Sequence, residues 1–168
     1  RWLLQEHVDF DYGDEDMLDR WGEVVRNHNG PALRLYQARY EAVLVPPLVT
    51  MRNSTREMLQ QFVEAGGRVI FCGGLPAYVD ATPAEDGSFD FADDCTQVGW
   101  DRDEVTAAAS DAGRVVSITD EDGQEHPSVL YLLHRHDGRL SLFMCNTDRE
   151  QATGPLTVEV CGEGPVEL

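Results

Sequence analysis

The stretch DFDYGDED, residues 9–16, alternates two carboxylates, Asp9 and Asp11, with two aromatics, Phe10 and Tyr12. On a strand this spacing puts the acids on one face and the rings on the other. Carboxylates that accept from hydroxyls, beside rings that stack on C–H faces, are what a sugar site uses. Asp9, Asp11 and Tyr12 are therefore candidate ligand-binding residues, and the carboxyl end of a strand in an open α/β sheet is where such a ligand would sit. The competing reading has residues 14–16 capping and charging a helix start, with Asp9 and Asp11 only solvated on an edge strand.

Cys72 closes an apolar run, RVIFC, just before Gly73 and Gly74. That is where an α/β sheet can present a nucleophile, and Cys72 is the single candidate catalytic residue. A nucleophile elbow needs small residues on both sides, because its turn is strained. Here Phe71 precedes the cysteine and Leu75 occupies the far side. Neither Glu125-His126 nor His134-Arg135-His136 supplies the spacing of a base and its orienter. A buried structural thiol, with no catalytic residue in the chain, is the expected state. His134 and His136 share a strand face beside Asp137, a metal patch in principle and a polar hairpin end otherwise. Tyr78, Phe89, Phe91 and Trp100 run along an acidic segment, where they either stack on sugars or anchor the segment to the core. Glycosidases need two carboxyls across the scissile bond. With 31 acidic residues in the chain, the presence of carboxyls selects nothing.

The elements that must hold these residues follow from punctuation and period. Residues 1–7 look like the end of a helix, and residues 8–12 like a short strand stopped by Gly13. Asp14 caps a second helix, whose apolar stripe Met17, Leu18, Trp21, Val24 and Val25 has helical spacing. Residues 40–45 (YEAVLV) and 68–72 (RVIFC) have the composition of strands buried on both faces. Between them Ser54 and Glu57 form an S-x-x-E capping box, and Gly66-Gly67 end the helix that carries Leu59, Phe62 and Val63. Strand, helix and strand make a βαβ unit, whose crossover should be right-handed in a parallel sheet. Residues 82–103 are acidic and poor in aliphatics, the composition of a long surface loop, with a short helix over 103–109. Beyond Gly113 the rhythm becomes that of strands, at 115–118, 129–133, 140–145 and 156–160, with turns at Asp122-Gly123 and Asp137-Gly138. The fold class is α/β, an open parallel sheet, followed by a β-rich segment that begins a sandwich. The corresponding domains are 1–113 and 114–168.

The chain of 168 residues has 13 basic and 31 acidic residues, a net charge of −18, and every basic residue is Arg. Nucleic acid and anionic membranes are bound through cationic side chains that displace counterions, so neither is an expected partner. Acid excess without Lys fits a high-salt source, and equally a GC-rich genome. The four cysteines, Cys72, Cys95, Cys145 and Cys161, contain no C-x-x-C pair, which argues against a zinc site or a disulfide framework. No cofactor or metal is called for. The first residues lack a signal peptide's basic start and apolar middle, and a cytoplasmic location is expected. The chain starts without Met and stops without a closing strand, as a piece of a longer protein would.

The order of FDYGDED (10–16), YEAVLVPPLVTM (40–51) and FVEAGGRVIFCGGLP (62–76) resembles the accessory α/β domain of large glycoside hydrolases, especially those similar to family 106 α-L-rhamnosidases. More distantly it resembles the trimerisation domain of family 42 β-galactosidases. Those domains are flavodoxin-like relatives of glutamine amidotransferases that have lost the catalytic residues. The resemblance covers about residues 3–81, and residues 129–160 more weakly resemble the β-sandwich that follows. It implies a non-catalytic accessory domain, for assembly or for framing an active site. Its partners would be a catalytic barrel domain in the same protein, further copies of itself in a homo-oligomer, and carbohydrate. Alternatives are an amidotransferase-like hydrolase using Cys72, and a carbohydrate-binding or protein-interaction module.

Overall fold

In a computed structural model, which describes residues 1–27 and 30–161, the chain divides into two units. One comprises Asp11–Gly113; the other combines Arg1–Phe10 with the chain from Arg114 onward. The first ten residues thus belong with the β-rich segment, and not with the α/β part that follows them in sequence. In chain order the elements are α1 (Trp2–Gln5), α2 (Glu15–Trp21), β1 (Gly22–Asn27), β2 (Gly30–Leu35), β3 (Ala38–Tyr40), β4 (Ala42–Val45), β5 (Thr50–Met51) and α3 (Asn53–Glu64). There follow β6 (Arg68–Cys72), β7 (Tyr78–Val79), β8 (Thr82–Pro83), a 3-10 turn (Asp90–Asp94), β9 (Thr96–Val98), α4 (Arg102–Gly113), β10 (Val116–Thr119), β11 (Val129–His136), β12 (Arg139–Asn146) and β13 (Thr157–Val160).

The α/β unit is built on the βαβ connection that the apolar runs and glycine stops predict. β4 and β6 pair in parallel, Val43 opposite Val69 and Val45 opposite Phe71, with α3 between them in sequence. Val69, Ile70, Phe71 and Cys72 are at most 1% exposed, as a strand covered on both faces requires. α3 lays Leu59 and Phe62 into the core with Leu33, Val45, Met51, Val69, Phe71 and Ala92. Burying each of those two side chains stabilises the fold by about 2 kcal/mol. Its C-terminus is a Schellman turn: the Gly66 amide donates to the Val63 carbonyl (2.7 Å) and the Gly67 amide to the Phe62 carbonyl (2.8 Å). Gly66 takes φ +87°, and a Cβ on Gly67 would stand 2.2 Å from the Phe62 ring. Glycine is required at both positions for different reasons.

Four sequence expectations are corrected here. Residues 8–12 form no strand. α2 is capped by Asp14, whose carboxylate accepts from the amides of Asp16 (2.9 Å) and Met17 (3.3 Å), but it stops at Trp21. Val24 and Val25 lie instead in β1, opposite Leu33 and Ala32 of β2, in an antiparallel meander β1-β2-β3. Two adjacent β-branched residues fit both periods, and cross-strand pairing decides for the strand. The S-x-x-E box does not form: α3 starts one residue before Ser54, and Arg52 at its N-cap makes no side-chain cap. Carboxylates from elsewhere take those amides, Glu15 from Arg52 (2.8 Å) and Asp80 from Asn53 (3.1 Å).

Residues 82–103, finally, lie mostly at the surface as expected but are not one long loop. β9 completes a three-stranded parallel sheet, β4-β6-β9. The 3-10 turn before it buries Ala92 and brings Phe89 and Phe91 against Phe71, ring centroids 6.4 and 6.2 Å apart. α4 packs against β4, β6 and β9. The fold is α/β with a parallel sheet and further sheets, followed by a β-rich segment.

The second unit holds two antiparallel pairs, β10-β13 and β11-β12. Its core is Val116, Ile118 and Val129, with Tyr131, Leu133, Leu142, Leu156 and Val160 against them. β11 and β12 are joined by Asp137 (φ 48°) and Gly138 (φ 76°), left-handed residues that match the twist of a two-residue hairpin turn. On the opposite face Leu132 and Phe143 pair across the hairpin, 63% and 62% exposed.

Candidate functional site

The carboxyl ends of β4, β6 and β9 are the edge at which an α/β sheet offers ligands a crevice. Cys72 stands there, at the last position of β6, and is fully buried. Burial pushes its thiol pKa up, away from the thiolate that a nucleophile needs. The left-handed positions are Gly73 (φ +79°) and Gly74 (φ +103°), whereas Cys72 does not have a positive φ. In a nucleophile elbow the strain falls on the nucleophile itself. At Gly73 a Cβ would lie 2.8 Å from Pro47 Cγ and 3.1 Å from Trp100 Cβ, and its amide donates to the Val98 carbonyl (2.8 Å). The missing side chain lets Pro47 and Trp100 approach the backbone just after β6.

Of the aromatics along the acidic segment, Phe89 and Phe91 are core anchors. Tyr78 and Trp100 keep 38% and 52% of their surface exposed. Cys95 is a half-buried thiol pushed up to about 11 by burial and by the Asp94 carboxylate; Cys145 and Cys161 are exposed, and all four cysteines are free.

The DFDYGDED stretch is divided between the two units. Asp11 and Tyr12 belong to the α/β unit, where the Asp11 carboxylate accepts from the Tyr40 hydroxyl (2.8 Å) and Tyr12 is 87% exposed. Asp9 belongs to the β-rich unit and is exposed there. With Leu4, His7, Val8, Leu130 and Tyr131 it lines a recess of about 90 Å³. Burial, and then the charge of Asp9, push the Tyr131 phenol up to about 12. His134 and His136 stack on the hairpin end, centroids 6.3 Å apart, and His136 pairs with Asp137 at 3.3 Å in open solvent. Among the described residues no group of three His, Cys, Asp or Glu side chains could hold a metal ion.

The most connected polar cluster is one that sequence spacing does not reveal. Glu125 Oε2 lies 2.5 Å from His7 Nδ1 and accepts from the Ile118 amide (3.0 Å); Oε1 accepts from Ser117 Oγ (2.5 Å) and the Arg114 guanidinium (2.7 Å). Ser117 and Glu125 flank the Asp122-Gly123 turn, so that half was open to inference. His7, far away in sequence, left no signal. Although it contains Ser, His and a carboxylate, the cluster is no nucleophile relay. A relay places histidine between serine and acid. Here the carboxylate is central and the other His7 nitrogen, Nε2, faces the Val129 carbonyl at 2.7 Å.

Comparison of the chain with protein-family models, with curated proteins and with solved structures gave no match.

Proposed function

We propose that this chain is a non-catalytic accessory domain of a glycoside hydrolase, serving assembly or the framing of an active site whose carboxylates lie on a separate barrel domain. The observation that carries the silent half of this reading is Cys72. It occupies the position from which an α/β sheet would act, yet it is buried and burial pushes its thiol pKa up. The glycoside context rests on the motif order FDYGDED, YEAVLVPPLVTM and FVEAGGRVIFCGGLP. The chain alone is expected to give no turnover with aryl rhamnosides or aryl galactosides. Saturable hydrolysis that disappears when one carboxylate is neutralised would overturn the proposal.

One observation favours a carbohydrate contact within the same reading. Trp100 stands half exposed at the ligand edge of the sheet, between Gly99, whose amide donates to the Glu104 carboxylate, and Asp101, whose carboxylate accepts from the Glu104 amide. An exposed indole face suits a neutral pyranose, and the net charge of −18 disfavours an anionic one. Calorimetric titration with neutral rhamnosides and galactosides is expected to give weak heats that vanish in Trp100→Ala. Equal heats in that variant would remove the contact.

A further inference from the structure

The ring of His7 is closed off from solvent, 1% of the residue being exposed, and both of its nitrogens face oxygen. The Val129 carbonyl has no proton to give. The Glu125 carboxylate already receives donors from Ser117, Ile118 and Arg114, so it too meets His7 as an acceptor. A neutral imidazole carries one N–H and would turn a lone pair onto one of these two oxygens. An imidazolium satisfies both. The backbone of His7 is also left-handed, φ 54°, and the Tyr131 hydroxyl donates to its carbonyl at 3.3 Å.

We infer that His7 is a buried clasp: carrying a proton on each ring nitrogen, it donates to Glu125 and Val129 together and fastens residues 1–10 to the rest of the β-rich unit. The groups that face it from every side agree with a positive ring. From the turn after β10 comes the Glu125 carboxylate. Arg114 reaches only the far oxygen of that carboxylate, and Ser117 on β10 shares that oxygen. From β11 come the Val129 carbonyl and the Tyr131 phenol, ring centroids of His7 and Tyr131 being 6.1 Å apart. Asp9, two residues along, adds a negative charge beside Tyr131. Next to Glu125, His126 keeps its Nδ1 buried and without a hydrogen-bond partner among the described residues, so it does not compete for the carboxylate through that atom.

The clasp has an acid limit. Burial alone would raise the Glu125 carboxyl, but the hydrogen bonds from Ser117, His7 and Ile118 and the charge of Arg114 together hold it below its ordinary 4.5. A carboxylate with a lowered value in the fold contributes stability above the unfolded value and loses it as pH falls through the folded one. Docking of residues 1–10 therefore weakens as pH falls through the folded value of Glu125.

Ring nitrogen-15 spectra of the histidine-labelled chain test this. In the folded wild-type chain His7 is expected to show two protonated nitrogens. In Glu125→Gln the ring should show a single N–H under the same conditions, and the Val8 amide, which is held by the Leu3 carbonyl, should exchange at least about tenfold faster. A one-proton tautomer in the folded wild-type chain overturns the inference, and that readout stands even if the variant unfolds.

Discussion

Thr55 is buried on the core side of α3, yet its hydroxyl has no hydrogen-bond partner among the described residues. A hydroxyl taken from water without a partner costs about 1 to 3 kcal/mol. Thr55→Val keeps the shape and deletes the orphan, so it should raise stability by about 1 kcal/mol in a urea titration, with an unchanged denaturant slope. A loss of stability would mean that the hydroxyl has a partner. Single residues were the least legible scale in the sequence. RVIFC and Gly66-Gly67 announced burial and a helix stop, because apolarity and glycine act locally. His7 gave no sign of its role, since its partners Glu125 and Val129 come from the far end of the chain.

At the scale of elements, α3 shows how a sound local rule can name the wrong donor. Its N-terminal amides are capped as helix physics demands, but by Glu15 and Asp80 reaching from other segments and not by Ser54. Each carboxylate also faces the positive end of the helix dipole. Glu15→Gln and Asp80→Asn should each cost about 0.5 to 2 kcal/mol, and Ser54→Ala should cost less than either, measured by thermal or denaturant unfolding. The reverse ranking would restore the capping box. Both strands of the βαβ unit and its helix were legible because each carries its own period and stops. β9 was not: Thr96–Val98 is short and flanked by acidic sequence, and its place is fixed by pairing with Ile70, Phe71 and Cys72. The same holds for β1, where a helical period in Val24 and Val25 gave way to pairing with β2. Of the candidate site, the position of Cys72 at the strand end was readable. The close approach of Pro47 and Trp100 to Gly73 was not, because it brings together residues distant in sequence.

The whole molecule is dominated by its charge, 13 basic against 31 acidic residues. Among the described residues, the pairs Arg20–Asp16, Arg52–Asp16 and Arg68–Asp111 lie at the surface, where solvent screens them. Self-repulsion of this size weakens as the screening length shrinks from about 10 Å at 0.1 M salt to about 3 Å at 1 M. The melting temperature should therefore rise by at least about 5 °C over that interval, the effect of roughly 1 kcal/mol. A flat profile would assign the absence of Lys to genome composition and not to a saline habitat. No helix among the described residues is long and apolar enough to cross a membrane.

The same scale carries the claim that this α/β sheet has kept its shape without a working nucleophile, and alkylation of the native chain by iodoacetamide at mildly acidic pH, read by peptide mass spectrometry, tests it most directly. Cys72 should stay unmodified until the chain is unfolded, while the exposed Cys145 and Cys161 are accessible to the reagent in the folded chain. Rapid modification of Cys72 in the folded chain at mildly acidic pH would contradict the account.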